Sequence, residues 1–239
     1  MNKREFLKSG LFGAIGLMSL RAMGSNKSSS SFVSHDFKLP ALPYSYNALE
    51  PSINKDTLFA HHTKLHSAYT QKLNAAMHDQ NIRVSTAREI FQNASKYNNS
   101  ILENCGGYFN HKIYWPMLTP KSGSKPSVDL MAAINSSFGS FDAFKNTFNS
   151  KAKNAGSSGW TWLISQNKQL KVTRTVNQDN PFMSTIPNSE KGFPILCIDL
   201  WDHASGPKYQ NRRSDYVDAF WNIVNWETVN KRFRKANSR

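Results

Sequence analysis

Apolar residues in the first half of the chain recur at helical spacing. The stretch from Leu58 to Leu73 places apolar side chains at i, i+3, i+4 and i+7, and Asn54 or Asp56 can cap its start. A shorter helix is predicted after Ser85 or Thr86, and a longer one over residues 98–117. The first half is therefore predicted to be an α-helical hairpin.

The second half combines helical and strand patterns. The helices are predicted over residues 128–138, 141–155, 216–224 (capped by Ser214 or Asp215) and from Trp226 onward. The strands are predicted over residues 160–165, 169–176 and 193–199, and Gln166-Asn167-Lys168 gives a hairpin signal between the first two. The predicted fold class is α+β, with an N-terminal α-helical hairpin domain and a C-terminal α/β domain with a three-stranded antiparallel sheet.

Composition shifts divide the chain into four parts. Residues 1–24 resemble an export signal, and residues 25–36 form a Ser-rich linker. The hairpin domain is predicted over residues 37–122 and the α+β domain over residues 126–239, because the segment between them is rich in Gly, Ser, Lys and Pro.

The leader has a basic start followed by a short apolar run, Leu11 to Leu20, with Ala22-Met23-Gly24 as a candidate cleavage site. Lys-Arg-x-Phe-Leu-Lys (3–8) resembles the twin-arginine signal, with Lys3 in place of the first Arg. The run is too short for a stable membrane span. Export to the periplasm is the expectation, and an uncleaved anchor is the alternative.

Charge narrows the classes of partner. The formal net charge is +14, which favours anionic ligands. No nucleic-acid recognition motif accompanies this charge, so nucleic acid is not an expected partner. Two cysteines, Cys105 and Cys197, do not form a disulfide framework, although one bridge between them is open in an oxidising compartment.

Candidate metal ligands occur in three places. Asp199 ends the third predicted strand, and His203 follows four residues later, a spacing that would put both on one side of a helix. Upstream, two predicted helices offer histidines, one over residues 61–66 and one at His111. Imidazole and carboxylate suit manganese, iron or zinc. Spacing alone does not choose between His61 and His62.

From about Phe37 to the C-terminus the chain resembles the iron/manganese superoxide dismutase family. Six blocks carry this resemblance in order. They are Leu-Pro-Ala-Leu-Pro-Tyr-x-Tyr (39–46) with Ala-Leu-Glu-Pro-x-Ile (48–53), His-His-Thr-Lys (61–64), Asn-His (110–111) with Trp115, Gly-Ser-x-Gly-Trp-x-Trp-Leu (156–163), Asn-Gln-Asp (177–179), and Asp-x-Trp-x-His-Ala (199–204) with the run at 209–226.

The resemblance implies one Mn or Fe ion held by His61, His111, Asp199 and His203. It implies that Gln178 hydrogen-bonds the metal-bound solvent, as in the manganese type, whereas the iron type takes this glutamine from the position of Gly107. Metal preference therefore leans to manganese, with iron open. Tyr69 matches the tyrosine that lines the substrate channel and touches the glutamine. Four aromatic residues match the walls of the site: Trp115, Trp160, Trp162 and Trp201.

The implied function is that of a superoxide dismutase, an antioxidant oxidoreductase that converts superoxide anion to oxygen and hydrogen peroxide. A metal that cycles between two oxidation states is required, so zinc would not serve. The alternative is a metal-binding or interaction protein on this scaffold with weak or no activity.

Several positions depart from the family pattern. Leu65 stands where the family has His, and Ser205-Gly206 stands where it has a Tyr pair whose second member reaches that His across the dimer interface. Asp202 replaces the Glu that bonds a ligand His of the partner subunit, and Tyr108 replaces a His. These departures predict altered proton delivery and a homodimer whose interface is changed or absent.

Overall fold

Antiparallel helices form the first half of the folded chain in the computed structural model, which describes residues 36–121, 123–210 and 212–238. The first long helix consists of α1, a π-helical segment and α2, and it packs against α4, with α3 between them in sequence. The bounds are α1 Lys55–Ala60, the π segment His61–His66, α2 Ser67–Asp79, α3 Ala87–Gln92 and α4 Asn99–Tyr114. The predicted helical hairpin is confirmed.

The π segment is absent from the sequence prediction, which treated this helix as regular. A π-helical turn inserts one extra residue and is frequent at functional sites. Here it buries His61, His62 and His66 together, although they lie within six residues of one another. The regular apolar spacing on both sides hides the insertion.

The three-stranded sheet is antiparallel throughout, as predicted, with the strand order β2-β1-β3. Its strands are β1 Gly159–Gln166, β2 Gln169–Val176 and β3 Phe193–Asp199. Asn167 and Lys168 both have positive φ, 52° and 63°, as a two-residue hairpin turn of the primed type requires. Trp160 of β1 pairs with Asp199 of β3, so an aromatic residue of the central strand lies beside the carboxylate.

Helices also precede and follow this sheet in sequence. They are α5 Val128–Phe138, α6 Phe141–Lys153, α7 Asp202–Tyr209, α8 Arg213–Phe220 and α9 Trp226–Asn237. Helix α8 begins at Arg213 after Arg212, so the predicted cap at Ser214 or Asp215 is wrong. Helix α7 entered the sequence analysis only through the i, i+4 spacing of Asp199 and His203, and Gly206 in its middle has non-helical angles.

Helix α4 joins two clusters of buried apolar side chains. Its Ile101, Cys105 and Tyr108 pack with α2 and α3, whereas its Ile113 and Tyr114 belong to the larger core around the sheet. The middle of α4 therefore lies at the junction of the two clusters, where it carries His111.

The leader and the linker predicted over residues 1–36 lie, except for Asp36, outside the described residues, and the domain boundaries stay predictions. Cys105 and Cys197 are both buried free thiols. Within the described residues, no helix has both the length and the apolar character that crossing a bilayer requires.

Candidate metal centre

Four side chains from four elements converge on one point. His61 opens the π segment, His111 lies in α4, Asp199 is the last residue of β3, and His203 is in the first turn of α7. One ligand atom from each lies within 4.8 Å of the others. Asp199 Oδ2 is 3.2 Å from His61 Nε2, 3.4 Å from His111 Nε2 and 3.5 Å from His203 Nε2.

Asp199 and His203 do not share a helix, so the predicted i, i+4 geometry is wrong although the two side chains meet. Asp199 ends the strand, and α7 begins only at Asp202. The other carboxylate oxygen of Asp199 accepts a hydrogen bond from the Trp201 backbone N–H at 2.9 Å. This bond turns the chain from strand to helix and aims Oδ2 at the imidazoles.

The structure distinguishes His61 from His62, which spacing could not do. His62 is buried on another side of the helix, where its Nδ1 contacts the Tyr46 hydroxyl at 3.0 Å and its Nε2 contacts the Pro40 carbonyl at 2.8 Å. Both of its ring nitrogens are therefore occupied. His61 Nε2 lies 2.9 Å from His111 Nε2, inside the cluster.

The cluster fits a metal ion. Asp199 Oδ2 and His203 Nε2 are buried and have no hydrogen-bond partner among the described residues. Atoms that bind one ion at about 2.1 Å lie on the order of 3–4 Å apart, in agreement with the separations observed here. An ion would satisfy both atoms, and neutral imidazole with carboxylate is a donor set suited to manganese or iron.

Burial and the neighbouring imidazoles set the protonation of the cluster. Burial lowers the pKa of His61 to about 3, so this imidazole is neutral and free to bind a metal. Burial alone would raise the pKa of Asp199, but the neighbouring imidazoles, His203 foremost, hold it well below its usual value. Asp199 is therefore an anionic ligand at neutral pH.

A hydrogen bond at the ring nitrogen that points away from the cluster fixes the tautomer of His111. Its Nδ1 donates to the backbone carbonyl of Gly107 one turn earlier in α4, so Nε2 carries the lone pair that faces the cluster. Nδ1 must carry the ring proton, because a backbone carbonyl can only accept a hydrogen bond.

Gln178 and Tyr69 lie beside the cluster and contact each other. Gln178 is fully buried, and its Nε2 donates to the Tyr69 hydroxyl at 3.3 Å. The Tyr69 ring lies 5.8 Å from that of His111. Burial raises the pKa of Tyr69 to about 12, so its hydroxyl keeps its proton at neutral pH. The loop after β2 brings Gln178 here across 109 residues of sequence.

Two residues of the family-like blocks, to which the sequence analysis gave no such role, hold Gln178 in place. Trp160 Nε1 donates to Gln178 Oε1 at 3.0 Å, and Asn110 Nδ2 donates to the Gln178 backbone carbonyl at 3.0 Å. A Cβ on Gly106 would lie 2.0 Å from that carbonyl, so only glycine allows the loop to approach α4. The sequence analysis did not single out Gly106 or Asn180, although Asn180 lies only two residues after Gln178.

Three of the four tryptophans that were predicted to line the site contact imidazoles of the cluster. Trp115 lies 4.8 Å from the ring of His61, Trp160 lies 5.1 Å from that of His111, and Trp201 stacks on His203 at 5.6 Å. Trp162 stacks behind Trp160 and donates to Thr175, so it supports the wall and does not form it.

A mostly apolar cavity of about 520 Å³ opens beside His61 and His203. Leu65 and Gly206 line this cavity. Gly206 has a φ of +59°, which favours glycine, and a Cβ added there would lie 2.2 Å from Thr57 Oγ1. Lys64 and Asp56 are exposed at this cavity. Two of the departures from the family pattern, Leu65 and Gly206, thus lie beside two of the four candidate ligands.

Comparisons with known proteins agree with this geometry. Residues 36–119 match the family model for iron/manganese superoxide dismutases, alpha-hairpin domain, and residues 126–232 match the model for the C-terminal domain. The chain belongs to the iron/manganese superoxide dismutase family. The boundary between the two matches falls near the segment that joins α4 to α5.

Individual relatives in the iron/manganese superoxide dismutase family cover the same part of the chain. A manganese superoxide dismutase of Listeria innocua is 40% identical over 205 residues, which is 84% of this chain and 98% of that protein. One of Buchnera aphidicola is 41% identical, covering 83% of this chain and 99% of that protein. One of Acinetobacter baylyi is 44% identical, covering 84% and 89%.

Proposed function

We propose that this protein is a superoxide dismutase that converts two superoxide anions and two protons to oxygen and hydrogen peroxide. The observation that carries the proposal is the convergence of three imidazoles and one carboxylate, two of whose atoms are buried without a partner. The relatives that align over most of this chain are named manganese superoxide dismutases.

We propose that His61, His111, Asp199 and His203 hold one manganese or iron ion. The bound ion would supply the redox chemistry by alternating between its trivalent and divalent states. One carboxylate and three neutral imidazoles leave such a cation with net positive charge, so the site attracts an anionic substrate. The position of Gln178, together with Gly107 in α4, favours manganese.

Gln178 and Tyr69 are proposed to manage protons at this site. Gln178 Nε2 donates to the Tyr69 hydroxyl oxygen, so the Tyr69 proton is free to point elsewhere. The raised pKa of Tyr69, about 12, keeps that proton in place until a stronger base forms nearby. The tryptophan walls exclude water and strengthen these local interactions.

The alternative, a metal-binding protein with little activity, explains the four ligands but not the buried pair Gln178 and Tyr69. A protein that only stores a metal has no use for a glutamine locked by Trp160 and Asn110. The dismutase therefore accounts for more of the site.

Replacing Asp199 tests the proposal. The purified protein is expected to bind one manganese or iron ion per chain and to remove superoxide. In Asp199→Ala, bound metal and superoxide removal should both fall more than about a hundredfold, since a ligand contributes more than the outer groups that orient it. Asp218→Ala, a matched change of a more exposed carboxylate in α8, should leave both unchanged. Metal binding without superoxide removal by the parent protein would favour the alternative.

We further propose that any homodimer uses an altered interface. Ser205, Gly206 and Pro207 offer no side chain that could reach across to a partner as the family Tyr does, and Leu65 offers no acceptor. The mass in solution tests this proposal, and a tight dimer through this face would contradict it.

Export to the periplasm is proposed from the basic start and apolar run of residues 1–24, which lie outside the described residues. N-terminal sequencing of the protein recovered from cell fractions tests it. A mature chain that begins after residues 22–24 is expected, and an intact N-terminus would favour the uncleaved anchor.

A further inference from the structure

A chain of buried amides leads from the backbone after β2 to Tyr69. The Phe182 N–H donates to Asn180 Oδ1 at 2.9 Å, and Asn180 Nδ2 donates to Asn110 Oδ1 at 2.7 Å. Asn110 Nδ2 donates to Gln178 Oε1 at 3.3 Å, and Gln178 Nε2 donates to the Tyr69 hydroxyl at 3.3 Å. All three carboxamides are fully buried, so water does not compete for these bonds.

The direction of every bond in this chain follows from its two ends. A carboxamide can present either oxygen or nitrogen to a neighbour, so its orientation depends on groups that have no choice. The backbone N–H of Phe182 can only donate, which turns the oxygen of Asn180 toward it and the nitrogen toward Asn110. The indole N–H of Trp160 can only donate as well, and it meets Gln178 Oε1 at 3.0 Å.

We infer that Asn180 is a positioning residue that acts with Trp160 to hold the Gln178 amide with its nitrogen toward Tyr69. It acts through Asn110, and among the described residues it makes no hydrogen bond to any of the four ligands. The inference rests on the proposed function only in assigning Gln178 a role at the metal. The bonds themselves belong to the described structure.

Reversing the donor at position 180 should reverse the chain. In Asn180→Asp the carboxylate still accepts from Phe182 but cannot donate to Asn110. If Asn110 keeps its nitrogen on the Gln178 backbone carbonyl and Oε1, its oxygen faces the new carboxylate. If it turns its nitrogen toward the carboxylate, it loses the bond to that carbonyl and its oxygen faces Gln178 Oε1. Two acceptors in contact without a proton are unfavourable in a buried site, so Asn110 or Gln178 must shift or rotate.

The midpoint potential of the bound ion is the measurement that separates positioning from mere packing. Asn180→Asp keeps the shape of the side chain but adds a charge that shifts the potential by itself, so Asn180→Ala is measured beside it. A structural role alone predicts an unchanged potential and visible spectrum in Asn180→Ala. The inference predicts a shifted potential, an altered spectrum and a fall in superoxide removal of about tenfold, the size seen when outer partners of metal ligands are lost. Asn93→Asp is the matched control, because Asn93 ends α3 and bonds only locally.

The outcomes are distinct. A folded, metal-loaded Asn180→Asp protein whose potential and spectrum equal those of the parent would overturn the inference. A shifted potential in both Asn180→Asp and Asn180→Ala but not in Asn93→Asp would support it, even if the parent protein removed no superoxide and the proposed function failed. If Asn180→Asp does not fold, Asn180→Ala removes the donor without adding charge and is judged by the same two results.

Discussion

His66 makes two hydrogen bonds that only a neutral imidazole can make. The indole of Trp115 donates to its Nδ1 at 3.0 Å, and its Nε2 donates to the Tyr108 carbonyl at 3.0 Å. A second ring proton would meet the indole N–H. Burial lowers the pKa of His66 to about 2, because charging it would remove a cation from water and break the bond from Trp115.

The metal-free protein should therefore lose stability on acidification. The folded pKa of His66 lies below its unfolded value near 6.5, so the unfolded chain takes up the proton first. The free energy of unfolding then falls by up to about 1.4 kcal/mol per pH unit below that value. Urea unfolding at pH 7, 6 and 5 measures this loss.

In His66→Gln the same series should show a shallower dependence on pH. In His78→Gln, a change of an exposed histidine in α2 with no buried contact, it should match the parent. Equal slopes in all three proteins would show that His66 does not couple folding to pH.

At the level of single residues, the sequence identified the kinds of ligand but not all of their partners. The ligand positions stand out because imidazoles and a carboxylate recur in blocks that resemble one family. Asn180 and Gly106 do not stand out, since their roles depend on a loop that meets α4 from far along the chain. Such contacts depend on tertiary packing, which periodicity does not encode.

The π segment sets the rotation of α1 relative to α2. His61 at its start faces the metal cluster, while Tyr69, just after it, faces Gln178. Each residue of a helix turns the chain by about 100°, so removing one residue from the segment would rotate one of these side chains away from its partners. The extra residue is therefore part of the site.

Deleting Lys64 tests this role. Its side chain is exposed, so the deletion removes no core contact but restores regular helical register. The bound metal per chain should fall more than about tenfold, because His61 or its support is displaced. Lys64→Ala keeps the register and should bind metal as the parent does. Full metal binding by the deletion protein would show that the π turn is incidental.

Strands and most helices were predictable because their patterns are local. The positions of β1 and β2 and the turn at Asn167 and Lys168 agree with the structure, although β1 is buried along nearly its whole length and does not alternate. Helix α7 was not predictable in this way, since Gly206 adopts non-helical angles in its middle and the element is held by packing against α1. The placement of His203 therefore depends on tertiary contact.

The whole molecule carries a formal net charge of +14, and its substrate is proposed to be an anion. A positive field raises the rate of encounter with anions, and salt screens it over about 10 Å at 0.1 M. Lys64, exposed at the cavity beside His61 and His203, is the cation best placed to act near the site among the residues lining that cavity.

The value of kcat/KM for superoxide should therefore fall as ionic strength rises from about 10 to 500 mM, by roughly twofold or more. Lys64→Gln should lower the rate at low salt and flatten its salt dependence. Lys235→Gln serves as the control. It removes the same charge from an exposed lysine in the last turn of α9, which does not line the cavity. Equal losses in the two variants would assign the effect to net charge, whereas a larger loss for Lys64 would assign it to the cavity.

A kcat/KM of the parent protein that does not change with salt would exclude electrostatic steering, because dissolved salt weakens any attraction that acts through solvent.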